Sequence, residues 1–197
     1  MNQLKKSDLM SLEQYAERRP GYREQVMAHK RNRQVAIGPN ARLYFEDRMT
    51  MQYQIQEILR IEKIFEADGI EEELEAYNPL IPDGTNWKAT FMIEYEDEQV
   101  RRHALSRLIG IERAVWVRLG KLEKVYPIAN EDLVRETDEK TSAVHFLRFE
   151  LSAEMVHAAR TGVEISMGVE HENYHHETGP LPANIAQSLA CDLDSFH

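Results

Sequence analysis

A single cysteine, Cys191, is the only thiol in this chain of 197 residues. It excludes an internal disulfide, and one thiolate does not by itself hold an iron–sulfur cluster. No apolar run approaches the roughly 18 residues that a membrane span needs. The opening MNQLKKSDLM also lacks the apolar stretch of a signal peptide, so the expected compartment is the cytoplasm. Positive charge is scarce: 24 Lys and Arg against 34 Asp and Glu leave a net charge of -10. That balance argues against nucleic acid as a non-specific partner. Neither a Walker A loop nor G-x-G-x-x-G is present, which removes the usual cradles for a nucleotide. No serine stands in a G-x-S-x-G turn, and internal repeats and low-complexity tracts are absent.

What remains is an ordinary globular composition, 42% hydrophobic and 29% charged, in a chain long enough for a sizeable core. Its charge is uneven. Residues 1 to 48 hold ten lysines and arginines against six carboxylates, so the rest of the chain is strongly acidic. A basic arm on an acidic body can fold back on it, pair with a second copy, or hold an acidic protein partner. A solvated helix face is the plainer explanation.

The stretch Phe45 to Ala67 contains neither Gly nor Pro and predicts a helix of about five or six turns. At helical spacing Gln52, Gln56 and Lys63 form a narrow polar strip, while Met51, Ile55, Ile58, Ile61 and Phe65 belong to a wide apolar arc. Such an arc predicts burial on more than one side. Glu57 and Glu62 interrupt it, and Glu62, on the Met51, Ile55 and Ile58 face, is the candidate interior carboxylate. The plainer alternative pairs Glu57 with Arg60 and lets Glu62 reach solvent.

Around this helix the chain divides by pattern. Ser7 predicts the cap of a helix that Pro20 stops, and Pro20 can open a second helix running to about Asn32. Gln34 to Ile37 and Ala41 to Phe45 flank a Gly38–Pro39–Asn40 turn and predict a hairpin. A short acidic helix, IEEELEAY, precedes the loop NPLIPDGTN. Period-two alternation then marks Trp87 to Tyr95 and AVHFLRFEL as strands. A helix is expected over Asp97 to Ile109, a hairpin over Ala114 to Ile128, a Ser152-capped helix, and a strand ending at His171. ENYHHETGPL is expected to be a loop and Pro182 the start of a terminal helix. NEDLVRETDEKTS shows no period and predicts a short helix or an exposed connector.

The sum is one α+β domain over residues 1–197, a largely antiparallel sheet packed against a long central helix with N-terminal helices. Residues 1–32 form an N-terminal helical arm, 33–85 the hairpin and long helix, and 86–197 a strand-rich part with the terminal helix.

Several segments together resemble a bacterial family, domain-of-unknown-function family 3501: LMSLEQYAERRP, FEDRMTMQYQIQEILR, YNPLIPDGTNWKATFMIEY, TSAVHFLRFEL and GVEHENY. The resemblance extends over nearly the whole chain. It brings no catalytic residues, and through rubrerythrin-like and iron–sulfur oxidoreductase gene neighbours it implies an association with redox or peroxide stress.

The residues themselves offer one chemical cluster, HENYHHE, where His171, His175 and His176 stand beside acidic side chains. Imidazole with carboxylate suits a transition metal such as iron or zinc. If the strands of His145 and His171 are antiparallel neighbours, those two histidines share one end of a sheet. Glu57 or Glu62 would then complete a site of the non-haem iron kind. Against this, a histidine on an apolar strand face is ordinarily a hydrogen-bonded core residue. Cys191 is expected to be a buried, inert thiol, and the Trp87 stripe to be core. The expected function is a non-enzymatic accessory or partner-binding protein, a homodimer, in a redox or peroxide-stress system. The competing expectation is a metal-binding protein or non-haem oxidoreductase, and a third is an enzyme binding a small anion through Arg60 or Arg148.

Overall fold

A computed structural model describes residues 3–131, 135, 137 and 139–194. The first helix, α1 (Leu12–Arg31), begins at Ser11, whose hydroxyl accepts the Gln14 N–H at 3.3 Å while the Gln14 side chain accepts the Ser11 N–H. This capping box lies later than the expected Ser7 cap, which falls in a short 3-10 turn, Lys6–Asp8. Nor does Pro20 divide the helix, contrary to expectation. Pro20 is on the exposed side, so the carbonyl four residues back that loses its N–H partner can be solvated. On the inner side Tyr15 and Tyr22 bridge the proline edge-to-face at 6.2 Å, and Tyr22 meets Tyr53 of the next helix at 6.1 Å.

A hairpin follows, β1 (Gln34–Ala36) and β2 (Ala41–Phe45), and then α2 (Arg48–Glu62). α2 is shorter than the expected Phe45 to Ala67, because Asp47 caps its start and Lys63, at φ 57°, turns left-handed at its end. Gln56, assigned above to a polar strip, is wholly buried. Its amide accepts the Met10 N–H at 2.6 Å and donates to the Met10 carbonyl. Glu62 is exposed, which corrects its reading as an interior carboxylate. α3 (Ala67–Tyr77) completes this helical part, where Met51, Ile55 and Leu59 pack with Leu4, Leu74 and Ile81.

The remaining elements are β3 (Asn86–Ile93), α4 (Glu98–Arg107), β4 (Val115–Leu119), β5 (Ile128–Ala129), β6 (Val144–Glu150), α5 (Ala153–Arg160), β7 (Ile165–His171), β8 (Tyr174–Glu177) and α6 (Ala183–Ala190). Two antiparallel sheets result, ordered β1-β2-β3-β6-β5 and β4-β7-β8. The main core unites Leu43, Trp87, Phe91 and Phe149 of the first sheet with Val117, Met167 and Val169 of the second, and with Val156 and Leu189 of α5 and α6. The apolar face of the larger sheet therefore meets the other sheet, while Met51, Ile55 and Leu59 of α2 belong to a separate cluster, so the expected packing of the sheet's apolar face on the long helix is not found. Between the sheets the expected hairpin strand divides: Val125 bridges Val117, and three residues later Ile128 pairs with Arg148. Of the expected loop, Tyr174–Glu177 is instead the strand β8, paired with β7 after a turn at Glu172 and Asn173, with only Tyr174 of the strand buried. The NEDLVRETDEKTS segment lies partly outside the described residues.

Candidate functional site

The strongest concentration of buried charge joins three distant stretches of chain. Arg33 stands just beyond α1, and its side chain is 2% exposed. Its Nε donates to the Phe45 carbonyl at 3.0 Å, one terminal nitrogen to the Glu46 carbonyl at 3.1 Å, and the other to Ser188 at 3.2 Å. Asp192, just past α6, meets the guanidinium at 2.5 Å, and Asp47 approaches it at 3.3 Å. Asp47 divides its oxygens: Oδ1 accepts the Thr50 N–H as the helix cap, and Oδ2 lies 2.5 Å from His29 Nε2.

Two carboxylates thus surround one guanidinium, and burial favours taking up a proton to restore neutrality. Desolvation is the largest influence on Asp192, outweighing Arg33, and it raises this carboxyl to about 6. The group opens on a cleft of about 460 Å3 lined also by Arg48, Met49, Ile81, Pro82 and Cys191. Cys191 is exposed here rather than buried as expected. A perturbed carboxyl, an oriented histidine and a thiol facing one cleft have the makings of a ligand or acid–base site.

The histidines and glutamates singled out in the sequence are not gathered. His145 is wholly buried on β6, bonded at 3.0 Å to Asn130, Thr141 and the Ser142 carbonyl, and 4.0 Å from Glu112. His171 ends β7 in the other sheet and contacts the Ile109 carbonyl at 3.0 Å. The strands are not neighbours, so the register that would have paired these histidines does not exist. His175 and His176 are exposed on β8, with His176 against the Tyr174 ring at 4.6 Å. Glu57 is held by Arg19 at 2.7 and 2.8 Å and by the Tyr15 hydroxyl at 2.6 Å, neither of them expected, while Arg60, the partner the plainer alternative named, lies farther off at 3.7 Å. Among the described residues no three His, Cys, Asp or Glu side chains are arranged to hold a metal.

Four cations of the basic arm pair within the chain. Arg19 pairs with Glu57, Arg33 with Asp47 and Asp192, Arg42 with Glu94 and Arg48 with Asp8. Sequence reasoning missed Arg33, Asp47, His29 and Asp192 because they belong to no motif. The one local signal was Asp47, an N-cap residue three before Thr50.

Fold and site together define an α+β protein of two antiparallel sheets whose helices enclose an arginine–carboxylate cluster at a cleft. The chain belongs to the family described as protein of unknown function (DUF3501), whose model matches residues 3–193. It is similar to a novel protein of unknown function from Burkholderia pseudomallei K96243, known from a crystal structure at 1.90 Å resolution. The two share 51% identity over 98% of this chain and 100% of that one, with a TM-score of 0.93. No curated protein matches the chain. Among the described residues no helix is long and apolar enough to cross a membrane.

Proposed function

We propose that the cleft beside Arg33 binds a small anionic metabolite, a carboxylate or phosphate, and that His29 exchanges a proton with it. The supporting observation is a part-exposed guanidinium, Arg48, lining the cleft. Asp47 and Asp192 are engaged by Arg33, His29 and the α2 cap, whereas Arg48, 38% exposed and paired with Asp8 through one nitrogen, has donors to spare. The His29 ring is 32% exposed and is oriented by a carboxylate, the arrangement that fixes an imidazole for proton transfer. The guanidinium nitrogens of Arg48 that Asp8 does not engage can bind a carboxylate or phosphate. Thermal unfolding with inorganic phosphate and a panel of mono- and dicarboxylates tests this. At least one should raise Tm saturably, and Arg48→Ala should abolish the shift. Absence of any ligand-dependent shift in the native protein would sink the proposal.

A second reading keeps the partner-binding role. Ile61 is 64% and Phe65 72% exposed, beside a groove of about 380 Å3 lined by Leu9, Leu12, Leu59 and Ile70. Exposed apolar surface of this kind supports association with a protein, including a second copy of the chain. The link to redox or peroxide stress has only the family resemblance behind it. Mass in solution for the native protein and for Phe65→Ser tests the homodimer: a dimer that the substitution dissociates supports it, and a monomeric native protein refutes it.

A further inference from the structure

The outward face of the larger sheet carries a second cavity, of about 260 Å3, under the 3-10 turn Asn78–Leu80. Pro79, Leu80, Phe146 and Leu147 supply carbon to its walls, Lys88 and Arg148 line it as cations, and Glu131, bound to Arg148, is its one carboxylate among the described residues. These two stand directly opposite one another on β3 and β6. Like charges so placed repel unless anions intervene. Arg148 has them: Glu131 accepts from it at 2.8 and 2.9 Å, and Glu150 contacts its third nitrogen. Lys88 does not. Its half-buried ammonium donates to the Pro79 carbonyl at 2.6 Å, and among the described residues no carboxylate lies within ion-pair distance. Burial accordingly lowers its pKa, desolvation outweighing the more distant carboxylates.

We propose that this cavity is a binding site for a small amphipathic carboxylate, with the carboxylate on Lys88 and an aliphatic or aromatic body against Leu80 and Phe146. The ligand would supply the anion that Lys88 lacks and would cover an apolar wall open to water. Neither half suffices alone: a short anion leaves the wall exposed, and a neutral tail leaves the ammonium unpaired. The site is separate from the cleft at Arg33 and stands whether or not that cleft binds anything.

Isothermal titration with octanoate, octanol and acetate tests the assignment on the full chain. In Arg48→Ala, which removes the anion contact proposed for the other cleft, octanoate should still bind at one site, at least about tenfold tighter than octanol or acetate. Lys88→Gln, whose amide can still donate to the Pro79 carbonyl, should lose about tenfold in affinity, while Lys88→Arg should retain binding. The loss caused by Lys88→Gln should be the same in the native and the Arg48→Ala backgrounds. Octanol binding as tightly as octanoate would overturn the proposal, as would octanoate affinity unaffected by Lys88→Gln. Loss of octanoate binding in Arg48→Ala with retention in Lys88→Gln would move the anion to the cleft and refute the Lys88 site.

Discussion

Asp47 caps α2 with one oxygen and holds His29 at 2.5 Å with the other, so a single carboxylate both starts a helix and orients an imidazole. The two duties separate by substitution. Asp47→Asn keeps an acceptor for the Thr50 N–H and removes the charge, whereas Asp47→Ala removes both. Urea denaturation should find the alanine variant less stable than the asparagine variant by about 1 kcal/mol, the worth of a cap. Equal stabilities would mean that the cap contributes nothing.

The two most perturbed carboxyls bend the pH dependence of stability in opposite senses. Asp192 is raised from 3.8 to about 6, so between these values the native state holds a proton that the unfolded chain has released. Its contribution is full below the unfolded value and is lost as pH rises through about 6. Asp192→Asn should flatten that part of the profile.

Glu57 is lowered from 4.5 to about 2, foremost by its hydrogen bonds from Arg19. The stability it provides is present above about 4.5 and disappears as pH falls through about 2, to an extent on the order of 3 kcal/mol. Glu57→Gln should therefore lose stability at neutral pH and show a shallower acid limb. An acid limb as steep as that of the native protein would contradict the assignment.

Pro20 sits in a helix interior with its ring exposed. Pro20→Ala restores the missing N–H and should stabilise the protein by about 1–3 kcal/mol in chemical denaturation. No gain would mean that the helix is already distorted to suit the proline.

At Gly168 an added methyl would lie 2.5 Å from the buried Trp116 ring. Gly168→Ala should cost about 1–3 kcal/mol and alter tryptophan fluorescence, since the ring must move from beneath Lys124, now 4.2 Å from its centroid.

The strands β3 and β6 were legible because each has a dry face and a wetter one. Trp87, Ala89, Phe91 and Ile93 alternate with less buried neighbours, as do His145, Leu147 and Phe149. β8 was not, because only Tyr174 is buried and three polar residues follow it. Gln56 misled because its partner is the Met10 backbone, which no side-chain pattern displays. The cleft was the least legible part. Arg33 and Asp192 are 159 residues apart, and neither is remarkable where it stands; only the fold brings them together.

The end of α6 also acts as the closing piece of the fold. Trp87 Nε1 needs the Leu189 carbonyl, Gly84 pairs with Leu193, and Arg33 needs Asp192. Without these residues Arg33 and the Trp87 indole would stand open to water, each short of a partner, so the core of the protein is completed only when residues 188 to 193 pack against it.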